Sequence, residues 1–148
     1  MYERILVPTD GSDAVDPAIE QAIDLAETYG AELHALYVVN TGTLSVEVNT
    51  ASVLDALEAE GERATREVAE RAAAAGVERV RTEVVHGMTH QTILEYAEDE
   101  DVDLVVMGTH GRSGLDRYLL GSVTEKVVRK SDVPVLTVRK PESDEAAE

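Results

Sequence analysis

Five short runs of apolar residues recur along the chain, each separated from the next by a longer segment of mixed character. They cover residues 4–7, 33–39, 80–85, 104–107 and 133–138. The runs are rich in valine and leucine and are nearly continuous rather than alternating, which is typical of strands buried on both faces of a sheet. The pattern therefore predicts five strands of a parallel sheet.

The segments between these runs show a helical period, with apolar residues recurring every three or four positions. In the first segment, residues 15–29, Ser12 or Asp13 is the expected N-cap and Gly30 the C-terminal stop. The other three cover residues 54–75, 93–97 and 122–128. Four amphipathic helices are therefore expected between the five strands.

Strict alternation of strand and helix predicts a doubly wound α/β fold, in which a five-stranded parallel sheet carries helices on both faces. The order of the strands within the sheet does not follow from the pattern. The chain of 148 residues suits one domain, which we expect to cover residues 1–140. Residues 40–50 are expected to form a polar loop, and residues 141–148 an acidic, flexible tail.

The composition narrows the classes of protein that remain. The chain has no cysteine, tryptophan or phenylalanine, which excludes disulfide scaffolds, thiol nucleophiles and cysteine-based metal sites and requires an aliphatic core. No apolar run approaches the ~18 residues of a membrane span, and the first residues lack the apolar core of a secretory signal. A cytoplasmic protein with no membrane partner is expected.

The net charge of −17, from 30 acidic and 13 basic residues, argues against nucleic acid as a partner. Carboxylate-rich, lysine-poor chains of this kind resemble proteins adapted to high salt, the alternative being an ordinary acidic cytoplasmic protein. The charge is uneven, because residues 104–140 contain 3 acidic and 7 basic residues. An anionic ligand would be tolerated best in that segment.

The basic segment contains an unusual concentration of glycine. Three glycines fall within seven residues after the fourth apolar run, at positions 108, 111 and 114, with Arg112 and Arg117 between and beyond them. We expect these glycines to allow positive φ angles and close approach of the backbone to a ligand. Gly121 and Ser122 then open the last helix, whose N-terminal N–H groups suit phosphate oxygens. A connection that serves packing alone is the alternative.

The segment matches neither of the common phosphate-binding motifs, since it lacks the lysine of the P-loop and follows the fourth strand, unlike the dinucleotide fingerprint. The end of the first run is the second candidate, with the sequence Pro8-Thr9-Asp10-Gly11-Ser12. In open α/β sheets ligands bind outside the carboxyl ends of the strands, where both segments are expected to lie. Taken alone, the second segment is better explained as a turn followed by a helix cap than as a binding site.

These segments together resemble the nucleotide-binding branch of the universal stress protein family. The resemblance covers residues 2–139 and rests on residues 5–12, the run ending at Val39, the glycine segment and residues 131–138. The family's ATP motif is Gly-x2-Gly-x9-Gly followed by Ser, Thr or Asn. Here Gly108, Gly111, the nine residues 112–120 and Gly121-Ser122 match it without a gap.

The resemblance implies a Rossmann-like fold of the adenine-nucleotide hydrolase type and a site for ATP with Mg²⁺ or Mn²⁺, between the first and fourth strands. Pro8, Thr9 and Asp10 would line the base and ribose or approach the phosphates, with Asp10 near the metal. Val38 would pack on adenine. The positions expected at ribose and phosphates are Met107, Gly108, Gly111, Arg112, Gly121, Ser122, Val123 and Thr124.

The resemblance also implies a homodimer formed through the strand from Val133 to Val138, and a stress-response role in which nucleotide occupancy is read by an unidentified protein partner. No catalytic residue is expected, because the glycine segment has no lysine and no base for an acceptor. Slow ATP hydrolysis is the most activity expected. The alternatives are a nucleotide-free dimeric interaction module and a true ATPase. His86 and His90 are expected to be structural or surface residues, and His110 could touch ribose or phosphate.

Overall fold

The computed structural model describes residues 1–41, 50–110 and 120–140. All five strands belong to one parallel sheet in the order β3-β2-β1-β4-β5. The strands are β1 (Arg4–Pro8), β2 (Glu32–Asn40), β3 (Val80–Gly87), β4 (Leu104–Gly108) and β5 (Val135–Val138). The helices are α1 (Asp16–Tyr29), α2 (Thr50–Ala74), α3 (Thr89–Asp99) and α4 (Ser122–Lys130), and a 3-10 turn (Asp13–Val15) precedes α1. The predicted doubly wound fold is confirmed.

The two faces of the sheet are covered by different pairs of helices. On one face Ile5 and Val7 of β1 pack with the apolar side chains of α1 and α2, Val68 among them. On the other face Leu6 packs with Ile93 of α3 and Val127 of α4. Successive residues of β1 thus enter two separate cores, which explains why the strand sequences are apolar throughout.

The first helix begins later than its sequence suggested. Ser12 precedes the 3-10 turn instead of capping α1, whose N-cap is Val15. Pro17 supplies the reason, because a proline is tolerated in the first turn of a helix but not in its interior. The predicted stop is confirmed, since Gly30 has a left-handed φ of 65°.

Two other boundaries differ from the sequence-based prediction. Thr50, placed in a polar loop, already belongs to α2, while residues 42–49 of that loop lie outside the described residues. Strand β5 begins at Val135 rather than at Val133, because the Ser131 hydroxyl donates to the Val133 carbonyl (2.8 Å) and accepts from its amide (3.1 Å), closing a tight turn. The predicted tail, residues 141–148, also lies outside the described residues.

The strand order creates a topological switch point next to β1. Strand β1 is bonded to β2 on one side and to β4 on the other, so the connections leaving β1 and β4 run to opposite sides of the sheet. The Asp103 carboxylate fixes the start of β1 beside β4, accepting from the amides of Glu3 (2.7 Å) and Arg4 (2.8 Å). A crevice opens at the carboxyl ends of the strands where such connections diverge.

A polar group is built into the core beside β2. His34 is fully buried, and its ring nitrogens lie 2.7 Å from the Tyr96 hydroxyl and 2.8 Å from a Glu32 carboxylate oxygen. Burial raises the pKa of Tyr96 to about 12, and the hydrogen bond with His34 lowers the pKa of Glu32. The imidazole is thus satisfied at both nitrogens, as a buried polar group must be.

Within the described part of the chain, no helix is both long and apolar enough to cross a membrane.

Candidate functional site

A cavity of about 570 Å³ lies at the carboxyl ends of the strands, over the switch point between β1 and β4. Its walls come from the ends of β1, β2 and β4, the first residues of α3 and α4, and Leu57 of α2. The volume falls in the range typical of small-molecule and cofactor sites.

The β1 side of the cavity is a turn held by its own side chains. Thr9 is buried, its amide donates to the Leu36 carbonyl (2.8 Å), and its hydroxyl accepts from the Gly11 amide (3.0 Å). Asp10 accepts from both the amide (2.9 Å) and the hydroxyl of Ser12. These bonds fix the Asp10 carboxylate at the cavity wall before any ligand arrives.

The opposite side is the junction between β4 and α4. The Gly121 amide donates to the Thr109 carbonyl (2.7 Å), and the Thr124 hydroxyl donates to the Gly108 carbonyl (2.8 Å). The Thr124 hydroxyl hydrogen is therefore committed to the backbone. What residue 124 can donate to a ligand is its amide, as the third residue of α4.

The N-terminus of α4 opens into the cavity without a side-chain cap. Its N-cap is Gly121, which is in extended conformation (φ −62°, ψ 157°) and has no side chain, and among the described residues no side-chain hydrogen bond caps the helix. Ser122, Val123 and Thr124 all line the cavity. Uncapped N–H groups and the positive end of the helix dipole make this part of the wall attractive to an anion.

The β2 side of the cavity is largely apolar, and Tyr37, Val38 and Val39 of β2 and Leu57 of α2 all line it. Gly61, one turn further along α2, allows the Tyr37 ring to lie against the helix, since a Cβ there would come within 2.7 Å of the ring. Helix α2 therefore packs close on β2. This side of the cavity therefore offers an apolar surface to a ligand.

Gly108 corrects the expectation of a positive φ angle, because it lies in strand β4 and is absent from the left-handed glycines. Its lack of a side chain serves packing instead. A Cβ at this position would lie 3.3 Å from the His110 carbonyl oxygen and 3.4 Å from that of Ala14, both backbone atoms. The end of β4 thus sits directly against the 3-10 turn that leads into α1.

A model of the universal stress protein family matches residues 1–139. The chain belongs to the universal stress protein family.

Individual members of the family are similar over nearly the whole chain. Universal stress protein MJ0531 of Methanocaldococcus jannaschii is 40% identical over 147 residues, covering 97% of this chain and 86% of that protein. The structure of MJ0577 from the same organism matches with a TM-score of 0.86 and 34% identity, covering 97% of this chain and 99% of that one. A universal stress protein solved in complex with cAMP matches with a TM-score of 0.73 and 28% identity, covering 95% and 98%.

Ten of the twelve binding-site residues that the sequence analysis indicated line the same cavity. They are Pro8, Thr9, Asp10, Val38, Met107, Gly108, Gly121, Ser122, Val123 and Thr124. Gly111 and Arg112 lie outside the described residues. The roles of the ten described residues toward a ligand stay predictions, but the convergence of these ten from three strand ends follows from the fold.

The cavity also has lining residues that the sequence analysis did not indicate. They are Val15, Tyr37, Val39, Asn40, Leu57 and Thr89. Tyr37, Val39 and Asn40 are neighbours of Val38 at the end of β2, so the end of this apolar run in the sequence could have indicated them as lining residues. For the α2 and α3 residues the sequence offered none, because their positions depend on how the helices pack.

The described residues that line the cavity do not share the basic character of residues 104–140. The ionisable side chains among the described lining residues are Asp10, Tyr37 and His110, and none is a lysine or arginine. No group of three or more His, Asp or Glu side chains that could hold a metal occurs in residues 1–41, 50–110 and 120–140. A divalent cation would therefore need ligand oxygens besides Asp10, as Mg²⁺ has when it binds with nucleotide phosphates.

Proposed function

We propose that this universal stress protein binds an adenine nucleotide, ATP together with Mg²⁺ or Mn²⁺, as a regulatory protein of the stress response. The observation that carries the proposal is the N-terminus of α4, which no described side chain caps and which opens into a cavity whose β2 side is apolar. A nucleotide has the same division, with a flat apolar base at one end and phosphates at the other. A family relative solved in complex with cAMP supports an adenine nucleotide.

In the proposed complex the base lies against Val38 and its apolar neighbours, and the phosphates lie at α4. The amides of Ser122, Val123 and Thr124 donate to phosphate oxygens, and no lysine is required for this. Gly108 also lines the cavity between these two ends.

Asp10 is the residue proposed to hold the metal. Its carboxylate is a hard oxygen ligand that the Ser12 amide and hydroxyl already orient. Mg²⁺ keeps several waters and uses one or two carboxylates with phosphate oxygens. The ion would neutralise phosphate charge on the β1 side of the cavity, where the Asp10 carboxylate would otherwise repel the phosphates.

We further propose a homodimer formed through β5, whose nucleotide-dependent state an unidentified protein partner reads. Strand β5 is at the edge of the sheet, and Leu136 on it is exposed. The Pro134 carbonyl accepts from the Val105 amide of β4 (3.0 Å), and the Val138 carbonyl accepts from the amide of Thr109, just after β4 (3.2 Å). By the alternation of a strand, the Thr137 amide therefore points to the open edge. An edge of this kind pairs readily with a second strand.

The test of nucleotide binding begins with protein purified without added nucleotide, which is denatured so that released small molecules can be identified by mass spectrometry. The stripped protein is then titrated with ATP and with GTP, in the presence and absence of Mg²⁺. Co-purified or rebound ATP is expected, with turnover well below the ~1 s⁻¹ of an ordinary enzyme.

An empty protein that ignores ATP would instead favour the nucleotide-free dimeric module, and turnover above that rate would favour a true ATPase. Asp10→Asn is expected to weaken binding only when Mg²⁺ is present. An equal loss with and without Mg²⁺ would contradict the metal assignment.

A further inference from the structure

A glycine lies near the centre of the longest helix in the described part of the chain. Helix α2 covers 25 residues, Thr50–Ala74, and Gly61 is its only glycine. Glycine is unfavourable in the interior of a helix, where it ranks below every residue except proline. Such a glycine is explained when a side chain at its position would collide with a neighbouring element.

The neighbouring element is the end of β2. A Cβ atom added to Gly61 would lie 2.7 Å from Cδ1 and 3.0 Å from Cγ of the Tyr37 ring, and 3.1 Å from Cγ1 of Val84 on β3. Tyr37 is buried in a core cluster with Val39 and Ala64, so close packing leaves its ring little room to retreat. Helix α2 therefore lies closer to β2 than a residue with a side chain at position 61 would allow.

Both sides of this contact also form the wall of the cavity. Tyr37 lines the cavity directly. Leu57, four residues before Gly61 and hence on the same face of α2, lines it as well and packs against the cluster that contains Tyr37. Whichever side yields to a larger residue 61, the displacement therefore occurs at the apolar wall of the cavity.

We propose that Gly61 is a positioning residue of the nucleotide site, which sets the distance between α2 and β2 and so holds Leu57 at the wall that receives the base. This inference rests on the proposed nucleotide-binding function and adds to it a residue that is not among the described lining residues. Because Gly61 acts on the apolar side, it affects ATP and adenosine by the same factor.

The experiment measures the affinities for ATP and for adenosine by isothermal titration calorimetry. It compares the wild type with Gly61→Ala, Leu57→Ala and the double variant. Glu62→Ala is the matched control, because Glu62 is the next residue of α2 and is exposed. Circular dichroism and urea unfolding of the nucleotide-free proteins show whether each variant is folded.

In Gly61→Ala we expect the affinities for ATP and adenosine both to fall about fivefold, because a gap of about 0.5–1 Å at a packed surface forfeits a quarter to a half of the contact energy. Leu57→Ala should also weaken both ligands. The double variant should bind no more weakly than the weaker single variant, because Leu57 has already been withdrawn in Gly61→Ala. Glu62→Ala should bind both ligands as the wild type does.

A glycine that served only the packing of the core would instead lower the resistance to urea and leave the affinity of the folded protein unchanged. Three results would overturn the inference: unchanged adenosine affinity in folded Gly61→Ala, additive losses in the double variant, or a loss for ATP alone. If Gly61→Ala does not fold, unchanged adenosine affinity in Leu57→Ala overturns it.

In each of these cases the wild type would still bind ATP, so the proposed function would stand while the role of Gly61 failed. A wild type that bound neither ATP nor adenosine would overturn the proposed function, and this inference with it.

Discussion

The amide of Ser122 can be deleted from the proposed phosphate site without disturbing the helix that carries it. Ser122 is the first residue of α4, and the preceding Gly121 has an extended conformation (φ −62°, ψ 157°). Proline is favoured at the first position of a helix, and the residue before it prefers an extended backbone. Ser122→Pro therefore removes one N–H and the hydroxyl at a site that accepts proline.

Ser122→Ala is the matched control, because it removes the hydroxyl and keeps the amide. A hydrogen bond to a charged group contributes about 1.5–3 kcal/mol, which corresponds to about a 10- to 100-fold change in affinity. We expect Ser122→Pro to bind ATP weaker than Ser122→Ala by that factor. Adenosine, which has no phosphate, should bind both variants equally.

Isothermal titration calorimetry of ATP and adenosine provides the affinities, and circular dichroism with urea unfolding shows whether α4 is intact. Equal ATP affinity in two folded variants would refute the reasoning, because the phosphates could not then lie on the Ser122 amide. A loss that extends to adenosine would point to a displaced helix instead of a deleted donor.

Three further predictions concern the dimer and the stability of the fold. Thr137→Pro removes an amide at the open edge of β5 and should give a monomer by size-exclusion chromatography with light scattering, whereas Thr137→Ala should stay dimeric; a dimeric Thr137→Pro protein would contradict pairing through β5. Burial raises the pKa of Tyr96 to about 12, so between pH 10 and pH 12 the folded protein keeps a proton that the unfolded chain has lost. The stability that this difference contributes is present below pH 10 and is lost toward pH 12. Urea unfolding across that range should therefore show a steeper loss of stability for the wild type than for Tyr96→Phe, and equal slopes would argue against the burial. Asp103→Ala leaves the amides of Glu3 and Arg4 without their shared acceptor and should lower the free energy of unfolding by about 2 kcal/mol, with a smaller effect for Asp103→Asn, which keeps an acceptor oxygen.

Much of the architecture could be read from the pattern of apolar residues. Near-continuous apolar runs predicted strands buried on both faces, and the two cores on either side of β1 show why alternation was absent. The errors fell at boundaries, where a single residue decides. Pro17 moved the start of α1 because proline is excluded from a helix interior, and the hydrogen bonds of the Ser131 turn delayed β5; periodicity records neither effect.

The residues of the candidate site also divide into those that the sequence could indicate and those that it could not. The glycine segment and the Pro8-Thr9-Asp10 turn were visible as motifs because their residue types are unusual after strands. Gly108 was noticed for the wrong physical reason, since the structure uses it to pack β4 against the backbone of Ala14. Leu57 and Thr89 could not be found, because a helix residue enters a cavity wall only through the way its helix packs.

By itself, the sequence determined the class of fold, the number of strands and helices, and the two segments that carry unusual residues, because these depend on local periodicity and residue type. Only the tertiary structure decided that β1 lies between β2 and β4, so that Pro8, Thr9 and Asp10 line one cavity with the described ends of the glycine segment, Gly108 and Gly121. It alone left His110 Nε2 buried without a partner in the described part of the chain. Both depend on contacts between residues far apart in the chain, and such contacts leave no periodic signal in the sequence.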